Sequence, residues 1–355
     1  MEFLKKYGLT PYFEQQARLF DSLQLARVSE QHRDLYKVIT QNGEMTAVVS
    51  GKLAYRARQS TDFPAVGDWV MIDYANPTAI IHQVLNRKSA FIRKSAGTEI
   101  SAQQIVAANI DIIFICMSLN EDFSLRRLER YMTAAWDSMA TPVVVLTKAD
   151  LCDDIQTKLA EIAAITIGID VIVCSALNGY GYDEVLKHID SSKTVAFIGS
   201  SGVGKSTLIN KLMKEDILDT GEIRKDGKGR HTTTHRQLLL LPEGGIVIDT
   251  PGMRELQLSS ADISKSFEDI ETLAYFCRFR DCTHNTEPGC AVKAAIENGD
   301  LSKERLESYK KLKKEIGYMN LNFRQLEREK IKNMFGGVNK MKQTMNYVKD
   351  KDKNR

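Results

Sequence analysis

The sequence predicts a multidomain chain: a small N-terminal β-barrel, a central α/β doubly wound sheet and a C-terminal helical domain around a Cys/His cluster. Three observations predict it. Short β-rich runs broken by Gly, Pro and Asn turns follow residue 35, as in a small barrel. From about Ile105 nearly continuous apolar runs alternate with amphipathic helical stretches, which argues a parallel sheet covered on both faces. After Gly252 the strands stop, and residues 260–330 are helical in pattern and hold Cys277, Cys282, His284 and Cys290.

Residues 1–34 read as a helical or irregular extension. "LYKVIT", "MTAVVSGKLAYRAR", "WVMIDY" and "AIIHQVLNR" supply strands for a five-stranded barrel of the OB type over residues 35–97. Lys52, Arg56, Arg58, Arg87, Lys88, Arg93 and Lys94 are its candidate phosphate contacts. In residues 98–260 the buried strands are "IDIIFICMSL", "PVVVLTKAD", "DVIVCSAL", "TVAFI", "QLLLL" and "GIVID". A helical domain over 261–330 and a basic tail over 331–355 complete the chain.

With 43% hydrophobic and 27% charged residues, the composition is that of a globular protein. No apolar run reaches membrane-spanning length, and "MEFLKKYGLTPYF" lacks the apolar core of a signal peptide, so the expected address is the cytosol. The net charge of +3 is uneven. From Lys303 onward 16 Lys and Arg face 7 Asp and Glu, which suggests a polyanionic partner or a solvated helix surface.

"GSSGVGKST" carries a phosphate-loop pattern between a strand-like and a helix-like run. Gly199, Ser200, Ser201, Gly202, Val203, Gly204 and Thr207 are expected to bind the nucleotide, the glycines letting successive backbone N–H groups converge on the β-phosphate. Lys205 would reach the β- and γ-phosphates, and the Ser206 hydroxyl is a Mg²⁺ ligand. "TKAD" places Thr147, Lys148, Ala149 and Asp150 at a strand end, where a carboxylate can accept both donors of guanine. Ser175 and Ala176 end the next run, with a backbone N–H for the guanine oxygen. "DTPG" offers Asp249 to the Mg²⁺ shell and the Gly252 N–H to the γ-phosphate. Each loop follows a strand's C-terminal end, the ligand edge of an open α/β sheet. The base loop precedes the phosphate loop, so the order is a circular permutation of the usual GTPase order.

This permuted P-loop GTPase domain lies between a barrel and a Cys-x4-Cys-x-His-x5-Cys cluster, with "GRHTTTH" and "DTPG". From about residue 35 to 330 it resembles the RsgA family of ribosome small-subunit-dependent GTPases. The resemblance implies that "GRHTTTH" is switch I and that His231 takes part in hydrolysis. His231 could equally belong to a basic RNA-facing loop. One of Thr232, Thr233 and Thr234 is expected to bind Mg²⁺, with Thr233 taken as the ligand. Met253 stands where many GTPases carry a water-orienting Gln, which predicts slow intrinsic hydrolysis. Thr147 replaces the more usual Asn, which puts that residue's contact in question.

Three thiolates and an imidazole suit one closed, structural Zn²⁺ site. Cys116 and Cys174 are expected in the core, and Cys152 has no evident role. The permutation leaves "DTPG", the segment that the resemblance makes switch II, last and directly before the zinc domain, so γ-phosphate loss can alter zinc-domain placement. The resemblance implies a monomer that binds the small (30S) ribosomal subunit and its rRNA, assists late maturation and leaves after GTP hydrolysis. Alternatives are a nucleotide-gated RNA-binding module with incidental hydrolysis and a P-loop kinase or ATPase.

Overall fold

The structure, a computed structural model, describes residues 2–32, 35–74, 77–94, 103–218, 236–249, 263, 264 and 266–319. Helices α1 (Glu2–Lys5) and α2 (Pro11–Ala17) precede strand β1 (Gln24–Gln31). Then come β2 (Tyr36–Thr40), β3 (Gly43–Val49), α3 (Gly51–Arg56), β4 (Trp69–Asp73) and β5 (Ala79–Val84). β1 pairs with both β2 and β4, and β3 pairs with β5 in parallel, so five strands close as a barrel. Val28, Val38, Val70, Ile72 and Ile81 belong to its core.

The barrel therefore begins at Gln24, not at residue 35, and the expected extension over 1–34 holds its first strand. The six residues Leu25–Glu30 are all buried, Arg27, Ser29 and Glu30 included. Polar residues buried on a strand erase the alternation that would mark it. The run "MTAVVSGKLAYRAR" is also not one strand. Ser50 accepts a hydrogen bond from the Leu53 N–H and caps α3, ending the strand at Val49.

A hairpin of β6 (Ala90–Lys94) and β7 (Gln103–Ala108) leads into the nucleotide domain. That domain runs β8 (Ile112–Ser118), α4 (Leu125–Asp137), β9 (Thr141–Thr147), α5 (Ile155–Ala163), β10 (Val171–Val173), α6 (Tyr182–Lys187), β11 (Thr194–Ile198), α7 (Lys205–Met213), β12 (Gln237–Leu240) and β13 (Ile246–Asp249). Its strand order is β10-β9-β8-β11-β13-β12, parallel except for β12. Every residue of β8 is buried, as two covered faces require. Ile113, Ile115 and Met117 share a core with Leu128 and Met132 of α4, while Phe114 and Cys116 share one with Val185, Leu208 and Ile209.

Barrel and sheet meet through buried polar groups. Arg27 donates to the Gly67 carbonyl (3.2 Å), to Thr194 Oγ1 on β11 (2.9 Å) and to the Tyr7 carbonyl. Gly67 has φ +93°, and a Cβ there would lie 2.2 Å from the Ala108 carbonyl oxygen, so only glycine allows this approach. Arg87 is not a free phosphate contact. Its guanidinium holds the buried Asp68 with bonds of 2.8 and 2.7 Å and two carbonyls besides. Lys52, Arg56 and Arg58 are exposed.

The C-terminal part contains α8 (Glu268–Tyr275), α9 (Ala291–Asn298) and α10 (Lys303–Met319). It is fastened to α4 by one buried network. Arg305 donates to Glu129 Oε1 (2.8 Å), to both Asp269 oxygens (2.5 and 2.8 Å) and to the Ser266 carbonyl (3.0 Å). Ser308 donates to the other Glu129 oxygen.

Candidate functional site

The phosphate loop joins β11 to α7. Gly199 has φ +146°, and a Cβ there would lie 2.3 Å from the Cys116 carbonyl oxygen, so the loop can turn tightly over β8 only with glycine. Lys205 opens α7 and donates to the carbonyls of Gly199 (2.8 Å) and Ser200 (2.7 Å). Burial holds its pKa below the ordinary lysine value. The ammonium is thus poised over a helix N-terminus that favours anions. Asp249 ends β13, and burial pushes its carboxyl up to about 6 against the pull of Lys205. A cation beside it would stabilise the carboxylate, which fits a Mg²⁺-shell role with the half-buried Ser206.

The base loop follows β9 and is held from both sides. Thr147 donates to the Val203 carbonyl of the phosphate loop at 2.5 Å. The Thr147 hydroxyl thus ties the base loop to the phosphate loop. Lys148 adopts a left-handed conformation (φ +58°), and the Ala149 N–H donates to the Cys174 carbonyl (3.2 Å). Ser175 Oγ donates to Asp150 Oδ1 at 2.5 Å, and Lys211 of α7 reaches the Ala176 carbonyl (3.3 Å). The base loop, the Ser175–Ala176 loop and the phosphate loop therefore form one connected rim.

Thr147→Val keeps the shape of the side chain and leaves the buried Val203 carbonyl without its donor. It should weaken guanine-nucleotide affinity about fivefold, or about 1 kcal/mol, whereas Thr147→Asn retains a donor and should stay near wild type. Equilibrium titration with fluorescent GDP checks this; equal affinities for Val and Thr would remove Thr147 from the site.

A cavity of about 420 Å³ opens beside this rim, lined by Ser118, Asn120, Asp122, Arg127, Lys148, Ser200, Ser201 and Gly202. Arg127 of α4 bonds Asp122 Oδ1 (2.7 Å) and Ser200 Oγ (2.8 Å). The sequence reading missed Asn120, Asp122 and Arg127. No motif spacing marks them, and only the approach of α4 to the loop reveals them. Thr207 is exposed at the start of α7. His231, Thr232, Thr233, Thr234, Gly252 and Met253 lie outside the described residues.

The ligand atoms of Cys277, Cys282, His284 and Cys290 all lie within 4.8 Å of one another. Cys277 and Cys290 sulfurs are 3.9 Å apart, and His284 Nδ1 is 3.7 and 3.4 Å from them. A tetrahedron with Zn–S of about 2.3 Å separates its sulfurs by about 3.8 Å, so the donors fit one zinc ion. Burial, then Lys310 and Lys313, hold the His284 imidazole below its ordinary pKa, which favours the neutral ligating form. Cys116 and Cys174 are buried, as expected of core residues.

A phosphate loop, a guanine-type base loop and an Asp at a strand end, met in permuted order, define a circularly permuted P-loop GTPase. The RsgA GTPase family model matches residues 84–259. The small ribosomal subunit biogenesis GTPase RsgA 2 of Lactiplantibacillus plantarum is 53% identical over 350 residues, spanning 98% of each chain. RsgA 1 of Oceanobacillus iheyensis is 48% identical over 301 residues, 83% of this chain and 86% of its own. The crystal structure of YjeQ from Thermotoga maritima superposes with a TM-score of 0.61 at 26% identity, over 83% of this chain and 98% of that one. YloQ, described as a circularly permuted GTPase, gives 0.59 at 23% identity, over 85% and 97%. The chain belongs to the RsgA family of GTPases.

Proposed function

We propose that this GTPase binds the small ribosomal subunit through its rRNA, assists late maturation, and leaves when the subunit stimulates hydrolysis. The observation that carries this reading is the chain order at Asp249. β13 ends there, and the described chain resumes at Ile263, in the part that Arg305 fastens to α4. A change at the γ-phosphate sensor thus has a short path to the Cys/His domain. The relatives' names support the choice of partner.

In the reaction, water attacks the γ-phosphorus, the bond to the bridging oxygen breaks, and GDP and phosphate leave. Asp150 and Lys148 hold the base. Lys205 and the phosphate-loop N–H groups stabilise charge on the phosphoryl oxygens. Mg²⁺, held by Ser206, Thr233 and Asp249, would offset phosphate charge. Met253 offers the attacking water no acceptor, so His231 orients it once the subunit has positioned switch I. Zn²⁺ on Cys277, Cys282, His284 and Cys290 is structural, and a cytoplasmic monomer is the working form.

Purified small subunits should raise GTP turnover, and His231→Ala should lower the stimulated rate about 100-fold while sparing GTP affinity. No stimulation of the wild type would favour a nucleotide-gated RNA-binding module instead. A normal stimulated rate in His231→Ala would leave that residue to RNA contact alone.

A further inference from the structure

We propose that the Cys/His loop carries a base-stacking platform: Tyr275, Phe276 and Phe279 receive unpaired RNA bases, and Arg278 and Arg280 hold the flanking phosphates. The proposal rests on the small-subunit reading and specifies the chemistry of that contact.

The sequence "YFCRFR" interleaves three aromatics with two arginines around the ligand Cys277. α8 ends at Tyr275, and the chain turns as the N–H groups of Phe276 and Cys277 bond the carbonyls of Leu273 and Ala274. Cys277 Sγ is drawn into the Cys/His cluster, so its neighbours are held outward. Tyr275 is 87% exposed, Phe276 70% and Phe279 41%. The Tyr275 and Phe276 rings stand perpendicular, edge to face, with centroids 5.7 Å apart, and both remain largely exposed. The Arg278 guanidinium lies 5.6 Å from the Phe279 ring centre, and its stem rests against Gly289.

Singly exposed rings are ordinary, but three within five residues, two of them in contact, make a contiguous apolar patch of the kind that marks an interaction site. Charge selects the partner. Arg278 and Arg280 flank the rings directly, whereas the loop's Glu287 is turned onto the N–H groups of Thr283, Asn285 and Thr286 and leaves Asp281 as the adjacent acid, while Asp269 and Glu271 of α8 are engaged by Arg305 and Tyr309. Lys310 bonds the His284 carbonyl at 2.8 Å, which extends the positive field across the loop. An anionic backbone with open π-faces matches aromatic rings interleaved with guanidinium groups, and that is single-stranded RNA.

The test uses the full chain bound to a non-hydrolysable GTP analogue. Tyr275→Ala, Phe276→Ala and Phe279→Ala, singly and combined, are compared with Tyr275→Phe and Phe276→Trp. Binding is read against purified small subunits, a single-stranded RNA 12-mer containing 2-aminopurine, and the same 12-mer as a duplex. Each lost stack should weaken subunit and single-strand binding about 5- to 100-fold, leaving duplex binding unchanged. The aromatic-retaining variants should bind like wild type. The slope of affinity against salt should stay constant in the alanine variants and fall by about one in Arg278→Gln or Arg280→Gln. Three results would overturn the platform. One is unchanged subunit binding in the combined alanine variant. Another is a loss for subunits with none for the 12-mer, which would indicate a protein occupant. The third is a lowered melting temperature or altered sedimentation of the free alanine variants, which would mean the rings cover this chain or a second copy. Failure of wild type to bind subunits would instead strike the small-subunit reading, and the 12-mer would still decide the platform.

Discussion

Stripping the metal with a chelator, or replacing Cys290 by Ser, should unfold residues 277–290 and free α9 from α8. The segment "CRFRDCTHNTEPGC" has one large apolar side chain, Phe279, and that is 41% exposed. It forms turns and bends but neither helix nor strand. Side-chain caps order its tip: Glu287 accepts from the N–H groups of Thr283 (2.9 Å), Asn285 (2.8 Å) and Thr286 (3.0 Å). Those bonds are exposed to water, which competes for the same N–H groups, so they hold the tip only weakly. Zinc on four such donors contributes about 10–16 kcal/mol at pH 7, of the same order as the stability of a whole domain. Cys290 also sits at the start of α9 and is buried, so its loss reaches beyond the loop. The measurement is limited proteolysis with mass mapping, alongside metal content. One zinc per chain and new cleavage between 277 and 290 after chelation are expected. A chelated chain that resists cleavage and melts like the untreated one would show that zinc does not hold the loop.

How much of this was legible in the sequence depended on where each stabilising contact lies. β8, β9 and β11 could be read because their buried residues are nearly all apolar, which leaves a continuous hydrophobic run in the sequence. The phosphate loop, base loop and Cys/His cluster could be read because their chemistry fixes spacing along the chain. β1 could not, since its buried Arg27 is satisfied by Gly67, Tyr7 and Thr194, groups far away in sequence. Arg87 looked like a surface cation for the same reason, its partner Asp68 being hidden until the barrel closes. Arg127 and Glu129 show the limit most sharply. In an α-helix two residues apart means nearly opposite faces. One of the pair meets the phosphate loop at Ser200 and the other meets Arg305 of α10. No local pattern distinguishes them from the other charges of "RRLER".

Arg305→Met should be the most damaging single change outside the nucleotide and metal sites. Both partners are nearly dry: the Arg305 side chain is 7% exposed and that of Glu129 is 3%. The guanidinium also lies 4.9 Å from the centre of the Phe267 ring. Removing it leaves Glu129 and Asp269 facing each other with no cation between them, and breaking such a buried pair costs about 3–5 kcal/mol. Glu129→Met together with Arg305→Met should recover part of the loss, because the buried Glu129 carboxylate is then no longer left without its cation, Asp269 alone remaining unpaired. The pH dependence gives a second check. Burial raises the Glu129 carboxyl above its ordinary value even with Arg305 present. A carboxyl raised in the folded state binds more protons there than in the unfolded chain. It therefore favours folding at low pH, and that advantage is lost as pH rises through the folded pKa. Without Arg305 the carboxyl is raised further and the loss is larger. The urea midpoint of Arg305→Met should thus fall further below wild type at pH 7.5 than at pH 5. A gap independent of pH would assign the damage to lost packing on Phe267, and no gap would release the Cys/His domain from α4.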